Sequence, residues 1–274
     1  MQPRLIRELE TLMGPTAVLS SPEDLMLYEY DGSVDLGSPR CIVFPTSAQD
    51  VSGIVRLANR HNTPIVGRGA GTGLSGGAIA RSGGIVIAFS RMNRILEIDA
   101  ANLRAVVQPG VVNLDLSRAV EHLGLFFAPD PSSQKSCTIG GNVSENSGGP
   151  HTLAYGVTTN HVTGLELVLT DGEIVRIGGR SIETSGYDLN VLLVGSEGTL
   201  ALVTEITVRL MRKPEAVKTL LAVYDTLDDT TESVVSITVR AITPAACEML
   251  DGFTLRAVRT TSTPDFPRTA RRCC

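Results

Sequence analysis

The stretch "GRGAGTGLSGG", Gly67 to Gly77, places six glycines in eleven positions directly after the apolar pair Ile65-Val66. Its reading decides the fold. Gly71-Thr72-Gly73-Leu74-Ser75-Gly76 spells G-x-G-x-x-G, which in a dinucleotide-binding unit opens a helix, with an acidic residue about 20 positions on to hold the ribose. Here Gly76-Gly77-Ala78-Ile79-Ala80-Arg81-Ser82-Gly83-Gly84 follows, and so many glycines do not sustain a helix. No Lys-Ser or Lys-Thr follows the glycines, so a P-loop is excluded as well. What remains is a loop whose glycines adopt positive φ and turn successive N–H groups onto an anion. The competing reading is a set of tight turns at a sheet edge. Arg68 either adds charge to the anion site or pairs with a carboxylate.

Working outward, Cys41-Ile42-Val43-Phe44 reads as a strand ended by Pro45. Thr46-Ser47-Ala48-Gln49 has capping-box spacing, and Val51, Ile54, Val55 and Ala58 form one apolar helical face that Asn62 and Pro64 close. Residues 41–77 are therefore a strand-helix-strand unit delivering the glycine loop at a strand end. An opening helix over Leu5, Ile6, Leu9, Leu12 and Met13 precedes it, followed by a polar loop through Tyr28-Glu29-Tyr30-Asp31-Gly32. Downstream come short strands at 84–89, 95–98 and 104–107, and then a helix over 114–120 with Asn113 as its cap. Residues 128–156 form a long Pro-, Ser-, Gly- and Asn-rich loop of the kind that carries function. A hairpin over 162–177 should turn through Asp171-Gly172 as type I′. In 202–210, Leu202, Thr204, Ile206, Val208 and Leu210 alternate with an opposite polar face. A new unit starts at Lys213-Pro214, with strands at 219–224 and 245–250 around a helix at 226–240.

The 24 basic and 29 acidic residues balance to −5 with no basic run, which argues against nucleic acid as a partner. No apolar run approaches the roughly 18 residues that span a bilayer. The first ten residues hold two glutamates and no signal core, pointing to a cytoplasmic protein, in which Asn142-Val143-Ser144 is a chance glycosylation match. Five scattered cysteines form no metal pattern. Cys41, Cys137 and Cys247 read as small core residues, and the terminal Cys273-Cys274 pair lacks the C-a-a-X form.

"QPGVV" (108–112), "PDPSSQKSCTIGGNVSENSGG" (129–149), "YGVTTNHV" (155–162) and "GSEGTLALVTE" (195–205) repeat the small-residue theme. They supply many backbone donors for one extended ligand. With "RMNRILEID" and "GYDLNVLLVGSEGTLALVTE" they resemble, in order and spacing, the vanillyl-alcohol oxidase (PCMH-type) family of FAD-binding domains. Within it they are most similar to the D subunits of bacterial glycolate oxidases and other FAD-linked 2-hydroxy acid oxidases, over about residues 20–258.

The resemblance implies an α+β, two-subdomain fold. After a lead-in (1–40), the FAD-binding domain (41–212) divides into a small parallel αβ part (41–99) and a larger antiparallel part (100–212). An incomplete substrate (cap) domain (213–258) and an aberrant tail (259–274) follow. Carried over by position, the pyrophosphate meets the backbone of Arg68, Gly69, Ala70, Gly71, Thr72 and Gly73, with Leu74 and Ser75 closing the loop. Pro109, Gly110, Pro129, Ser133, Ser136, Gly140, Gly141, Asn142, Ser144, Gly148 and Gly149 line the other surfaces. Tyr155, Gly156, Val162, Gly198 and Val203 complete the shell. Relatives that tether FAD through this loop carry His after R-G-x-G; Thr72 stands there, so attachment is expected to be noncovalent.

The implied chemistry is oxidation of glycolate or D-lactate to the 2-oxo acid, with hydride passing to the flavin. Iron-sulfur and second FAD-domain subunits are implied as partners by resemblance only, as is a location peripheral to the inner membrane through them. The sequence names no catalytic base and no metal site. His61 and His122 read as helix-end residues, and His151 and His161 as structural or cofactor-contacting ones. The abrupt Arg, Thr and Cys bias of "RTTSTPDFPRTARRCC" reads as a frameshift and a truncated product. The alternative function is an inactive flavin-binding remnant or regulatory module.

Overall fold

The computed structural model describes residues 4–81, 83–179 and 186–261, in two compact units: 1–148 with 157–213, and 149–156 with 214–274. The Cys273-Cys274 pair and most of the 259–274 tail lie outside the described residues.

The first unit contains two main sheets. In chain order it runs through α1 (Arg4–Met13), β1 (Val18–Leu19), α2 (Pro22–Met26), β2 (Cys41–Val43), α3 (Ala48–Arg60), β3 (Ile65–Arg68) and β4 (Ile85–Ala88). Sheet one has the order β1-β2-β4-β3, with β2, β4 and β3 parallel and β1 antiparallel at the edge. Its centre, Ile85-Val86-Ile87-Ala88, is buried throughout, as an unbroken apolar run in a parallel sheet covered on both faces requires. Ile85 and Ile87 pack with α1 and α3 residues such as Leu9, Val51 and Ile54. Val86 and Ala88 pack on the other face with Ile42 and Ala80, near Tyr28 and Phe44.

The α3 cap sits one residue beyond the expected position. Ser47 Oγ accepts the Asp50 N–H at 3.1 Å while the Asp50 carboxylate takes the N–H groups of Ser47 and Thr46. Asp50 wins because its short carboxylate, unlike Gln49, gathers both N–H donors and the Thr46 hydroxyl, 2.8 Å away.

Next come β5 (Ile95–Asp99), β6 (Arg104–Val107), α4 (Asn113–Val120), β7 (Leu125–Phe126), α5 (Ile139–Glu145), α6 (Thr152–Tyr155, in the second unit), β8 (Val162–Val168), β9 (Ile174–Gly178), α7 (Leu189–Leu193), β10 (Leu202–Arg209) and β11 (Met211–Arg212). Sheet two is antiparallel, in the order β5-β6-β10-β8-β9, and β7 pairs with β11. The β10 alternation is borne out: Leu202, Thr204, Ile206 and Val208 are buried while their neighbours are not. Ile206 and Val208 join Leu116, Phe127, Ile139 and Val143 in the second core.

Four further expectations change. Asn113 begins α4 instead of capping it, because its side chain turns away to donate to the Pro129 carbonyl at 2.9 Å. The 128–156 stretch holds α5, hidden in the sequence by its two glycines. The hairpin turn is a three-residue loop with only Gly172 at positive φ. The Asp171 carboxylate accepts the Glu173 N–H, and the Gly172 N–H bonds to Leu169 O, which favours a type I turn with a glycine bulge. Cys41 and Cys137 are buried, but Cys247 is exposed.

The hairpin tip docks on α3. Ser52 and Arg56 donate to Gly172 O at 2.5 and 3.2 Å, and Asn59 donates to Thr170 O at 2.7 Å. These bonds fix sheet two against sheet one.

In the second unit the described elements are α6, α8 (Leu227–Val239) and α9 (Gly252–Thr261). Thr226 caps α8, accepting the Asp229 N–H. The expected strands at 219–224 and 245–250 reduce to single bridge residues at Val223 and Leu250, since neither segment gains a ladder among the described residues. Among the described residues no helix is long and apolar enough to cross a membrane.

Candidate functional site

β3 ends at Arg68 and hands the chain to the glycine turn. Gly71 has φ of +69°, a conformation that a side chain strongly disfavours. A Cβ there would also run into the Arg68 guanidinium, which curls back into the turn. Gly69 lies against the side-chain oxygen of Thr138 and the backbone of Gly141. Thr138 caps α5 by accepting the Gly141 N–H at 3.2 Å, so the turn abuts the start of α5.

That start is pinned from behind. The Gly140 N–H donates to Pro109 O and the Ile139 N–H to Val111 O, each at 2.8 Å, and Gly110 N–H reaches Met92 O at 2.7 Å. Gly140 sits so close to Pro109 that a Cβ would fall 2.5 Å from its Cβ. Ser133 and Ser136 form the turn leading in, where Ser133 O accepts the Cys137 N–H at 2.8 Å. At the other end of α5, Val143 O accepts from Gly195 at 2.8 Å and Ser144 O from Glu197 at 2.9 Å.

The structure therefore brings Arg68–Gly73, Pro109–Gly110, Ser133–Ser144 and the 195–198 turn together. Leu74 and Ser75 are exposed, and Pro129 is buried, its carbonyl accepting from Asn113 of α4. Val162 and Val203 lie toward opposite ends of the β8–β10 ladder, opposite Val208 and Leu167 respectively. Gly148 closes its stretch of the first unit, whereas Gly149, Tyr155 and Gly156 belong to the second. There Gly149 N–H donates to Thr152 Oγ1, and His151 stacks near Tyr155 at 6.2 Å. His61 pairs with Glu8 at 3.1 Å, and buried His161 meets the edge of Phe127. Neither forms part of the glycine cradle.

A cavity of about 390 Å³ opens beside the turn, lined by Gly67, Gly77, Leu169, Glu197, Gly198 and Leu202 among others. Its walls are mostly backbone and apolar side chains, as small-molecule sites require.

Sequence reading missed the strap of residues 28–38. Gly32 packs on the carbonyls of Thr72 and Gly73, Ser38 N–H donates to Ala80 O at 2.8 Å, and Asp35 pairs with Arg81. Tyr28 and Asp31 face Arg68. Arg68 is buried within electrostatic reach of Asp31 but forms no ion pair with it among the described residues, and its Nη1 has no hydrogen-bond partner. Burial pulls its guanidinium below the usual value and the Asp31 charge opposes this.

Sequence reading also missed Thr138 and Glu145. A signal existed for α5: a Thr cap before Ile139 and Val143 at i, i+4 spacing. Burial pushes the Glu145 carboxyl up, and the charges of Glu197 and Asp31 push it further. A carboxyl raised in the fold favours the folded state below its unfolded pKa and loses that contribution as pH rises through its folded value. Glu145→Gln should therefore raise the melting temperature at neutral pH, with the gain fading as pH falls through the raised folded value and gone below 4.5, the unperturbed value. Thermal melts across pH 3–8 check this.

An extended anionic cofactor fits these residues. Arg68 Nη1 is buried without a hydrogen-bond partner, and Asn142 Nδ2 has at most a weak contact with the Cys137 sulfur, a state that a protein tolerates when a ligand supplies the acceptor. Gly69, Gly71, Gly140 and Gly141 keep the adjoining backbone bare. Together with the two-sheet α+β architecture, this suits a class of proteins that hold an extended anionic cofactor on loops, without the helix-opening fingerprint.

A family model described as the FAD binding domain matches residues 39–178, and one for the C-terminal domain of FAD linked oxidases matches 213–272. The chain belongs to the FAD binding domain family, with FAD as its cofactor. It is similar to glycolate oxidase subunit GlcD of Bacillus subtilis (strain 168), 46% identical over 96% of this chain and 57% of that protein. The Escherichia coli (strain K12) GlcD is 42% identical over 88% and 48%, and an Archaeoglobus fulgidus D-lactate dehydrogenase 39% over 82% and 51%. The chain thus spans about half the length of the curated relatives it matches. Alkyldihydroxyacetonephosphate synthase superposes with a TM-score of 0.83 at 22% identity, covering 100% of this chain and 55% of that one. p-Cresol methylhydroxylase gives 0.75 at 22%, covering 85% and 48%. These structures share the PCMH-type fold.

Proposed function

We propose that the first unit binds FAD noncovalently and forms the flavin-carrying part of an oxidoreductase that acts on a 2-hydroxy acid, glycolate or D-lactate. The observation that carries this reading is the junction of the glycine turn with the α5 start, where the buried Arg68 guanidinium keeps one nitrogen without a partner. In it the backbone of Arg68 to Gly73 holds the pyrophosphate, with Leu74 and Ser75 closing the turn. Pro109, Gly110, Pro129, Ser133, Ser136, Gly140, Gly141, Asn142, Ser144 and Gly148 line the cofactor's other surfaces. Val162, Gly198 and Val203 support its remaining length.

FAD, when bound, supplies the hydride acceptor. Two features support noncovalent attachment. Thr72 has no nucleophilic nitrogen, and burial raises the pKa of the Cys137 thiol despite its Ser133 contact, keeping it protonated and inert. Two GlcD relatives carry names that make them subunits of glycolate oxidase, which supports a multi-subunit assembly and electron transfer to a partner.

The test is direct. Purified protein supplemented with FAD should show the flavin's visible band, and denaturation followed by filtration should leave all of it in the filtrate. Flavin retained on the chain would overturn noncovalent binding. Anaerobic glycolate or D-lactate should bleach the band. Binding without bleaching by either acid would leave a cofactor-holding module and refute the activity.

A further inference from the structure

The strap of residues 28–38 does more than cover the glycine turn. Arg68 is 7% exposed. Its Cζ lies 5.4 Å from the centre of the Tyr28 ring, which is itself braced edge-on by Phe44 at 6.0 Å. Asp31 is also buried and stands within electrostatic reach of the same guanidinium. Its carboxylate is aimed by a 2.7 Å bond from the Ser33 N–H. The guanidinium occupies the space beneath Gly71, and Gly32 of the strap rests on the carbonyls of Thr72 and Gly73. One aromatic face and one turn thus enclose the guanidinium, and the buried Asp31 carboxylate acts on it through space, without a direct ion pair.

We propose that Tyr28 and Asp31 are positioning residues that lock the Arg68 guanidinium inside the glycine turn, so that its charge serves the cofactor's pyrophosphate. The inference rests on the FAD-binding reading above.

The sign of its consequence is distinctive. A carboxylate near a bound pyrophosphate repels it, and Glu145 adds to the same negative field. If Asp31 acted only through its charge, Asp31→Asn would tighten FAD binding. Positioning predicts the reverse, because an Arg68 released from its site no longer meets the phosphate.

The experiment titrates the full chain with FAD, with ADP, which keeps the pyrophosphate, and with lumiflavin, which lacks it. Asp31→Asn and Tyr28→Leu should each weaken FAD and ADP about tenfold, the size of one charge-assisted contact, and leave lumiflavin unchanged. Asp31→Glu should restore part of the loss. In an Arg68→Met background, Asp31→Asn should have no effect or should tighten ADP.

Equal weakening with and without Arg68 would overturn the proposal, as would tightening by Asp31→Asn in the native background. If one single variant fails to fold, the other still completes the cycle with Arg68→Met. A native chain that binds neither FAD nor ADP refutes the FAD reading itself, a result distinct from binding without coupling.

Discussion

Gly71→Val should abolish FAD binding. At φ of +69° a β-branched residue is a genuine outlier, and its Cβ would collide with the Arg68 guanidinium that fills the turn, Cζ being 2.7 Å away. Either the turn opens or Arg68 leaves, and both remove the donors from the pyrophosphate. Affinity should fall at least about 100-fold, or about 2.7 kcal/mol. The apo protein should lose less, about 1–2 kcal/mol for the strained backbone, because Ala70 and Gly73 are exposed and the turn carries no core side chain. Gly73 supplies the control: a Cβ there meets nothing within 4 Å, so Gly73→Ala should leave the melting temperature unchanged. Flavin fluorescence titration alongside thermal melts separates the two effects. Retention of native affinity in Gly71→Val would show that the turn does not hold the phosphates.

The second large effect is on stability. In Gly140→Ala the new methyl would sit 2.5 Å from Pro109 Cβ and 2.9 Å from Pro109 O. Pro109 cannot retreat, because its carbonyl accepts the Gly140 N–H and the neighbouring Gly110 is pressed against the carbonyls of Phe89 and Met92. Overpacking against rigid backbone should cost about 3 kcal/mol, lowering the melting temperature by roughly 6–12 °C for a unit of this size. A change below about 2 °C would refute the close packing of α5 on the 109–111 segment.

Much of this architecture was legible from pattern. The α3 stripe, the β10 alternation and the continuous apolar run of β4 each have one period and one burial solution, and the structure uses it. The glycine segment was legible as a turn and not the start of a helix because the helix reading fails on Gly76, Gly77, Gly83 and Gly84. Other features were hidden by competition between local signals. Gly140 and Gly141 have poor helix propensity, yet α5 forms because Thr138 caps it and Ile139 and Val143 enter the second core. The roles of Tyr28 and Asp31 had no local signal, since a polar loop becomes a strap only when the Arg68 it meets is 40 and 37 residues away in sequence. The turn at Asp171-Gly172 was misread because Asp171 satisfies a backbone N–H through its carboxylate without entering positive φ.

The position of β10 has a consequence for how the protein comes into being. It lies between β6 and β8, yet it follows both in sequence, pairing Arg209 with Arg104. During synthesis the antiparallel sheet therefore exists only as separated pairs, β5 with β6 and β8 with β9, until residue 209 has emerged. The bond from Ser52 to Gly172 likewise waits across 120 residues of sequence. Pairing this non-local makes folding slow, and every glycine segment of the cradle leaves the ribosome before the strand that organises the sheet behind it. Cofactor capture is thus a late event in the life of the chain, and nascent fragments ending before β10 should be the ones that chaperones and proteases intercept.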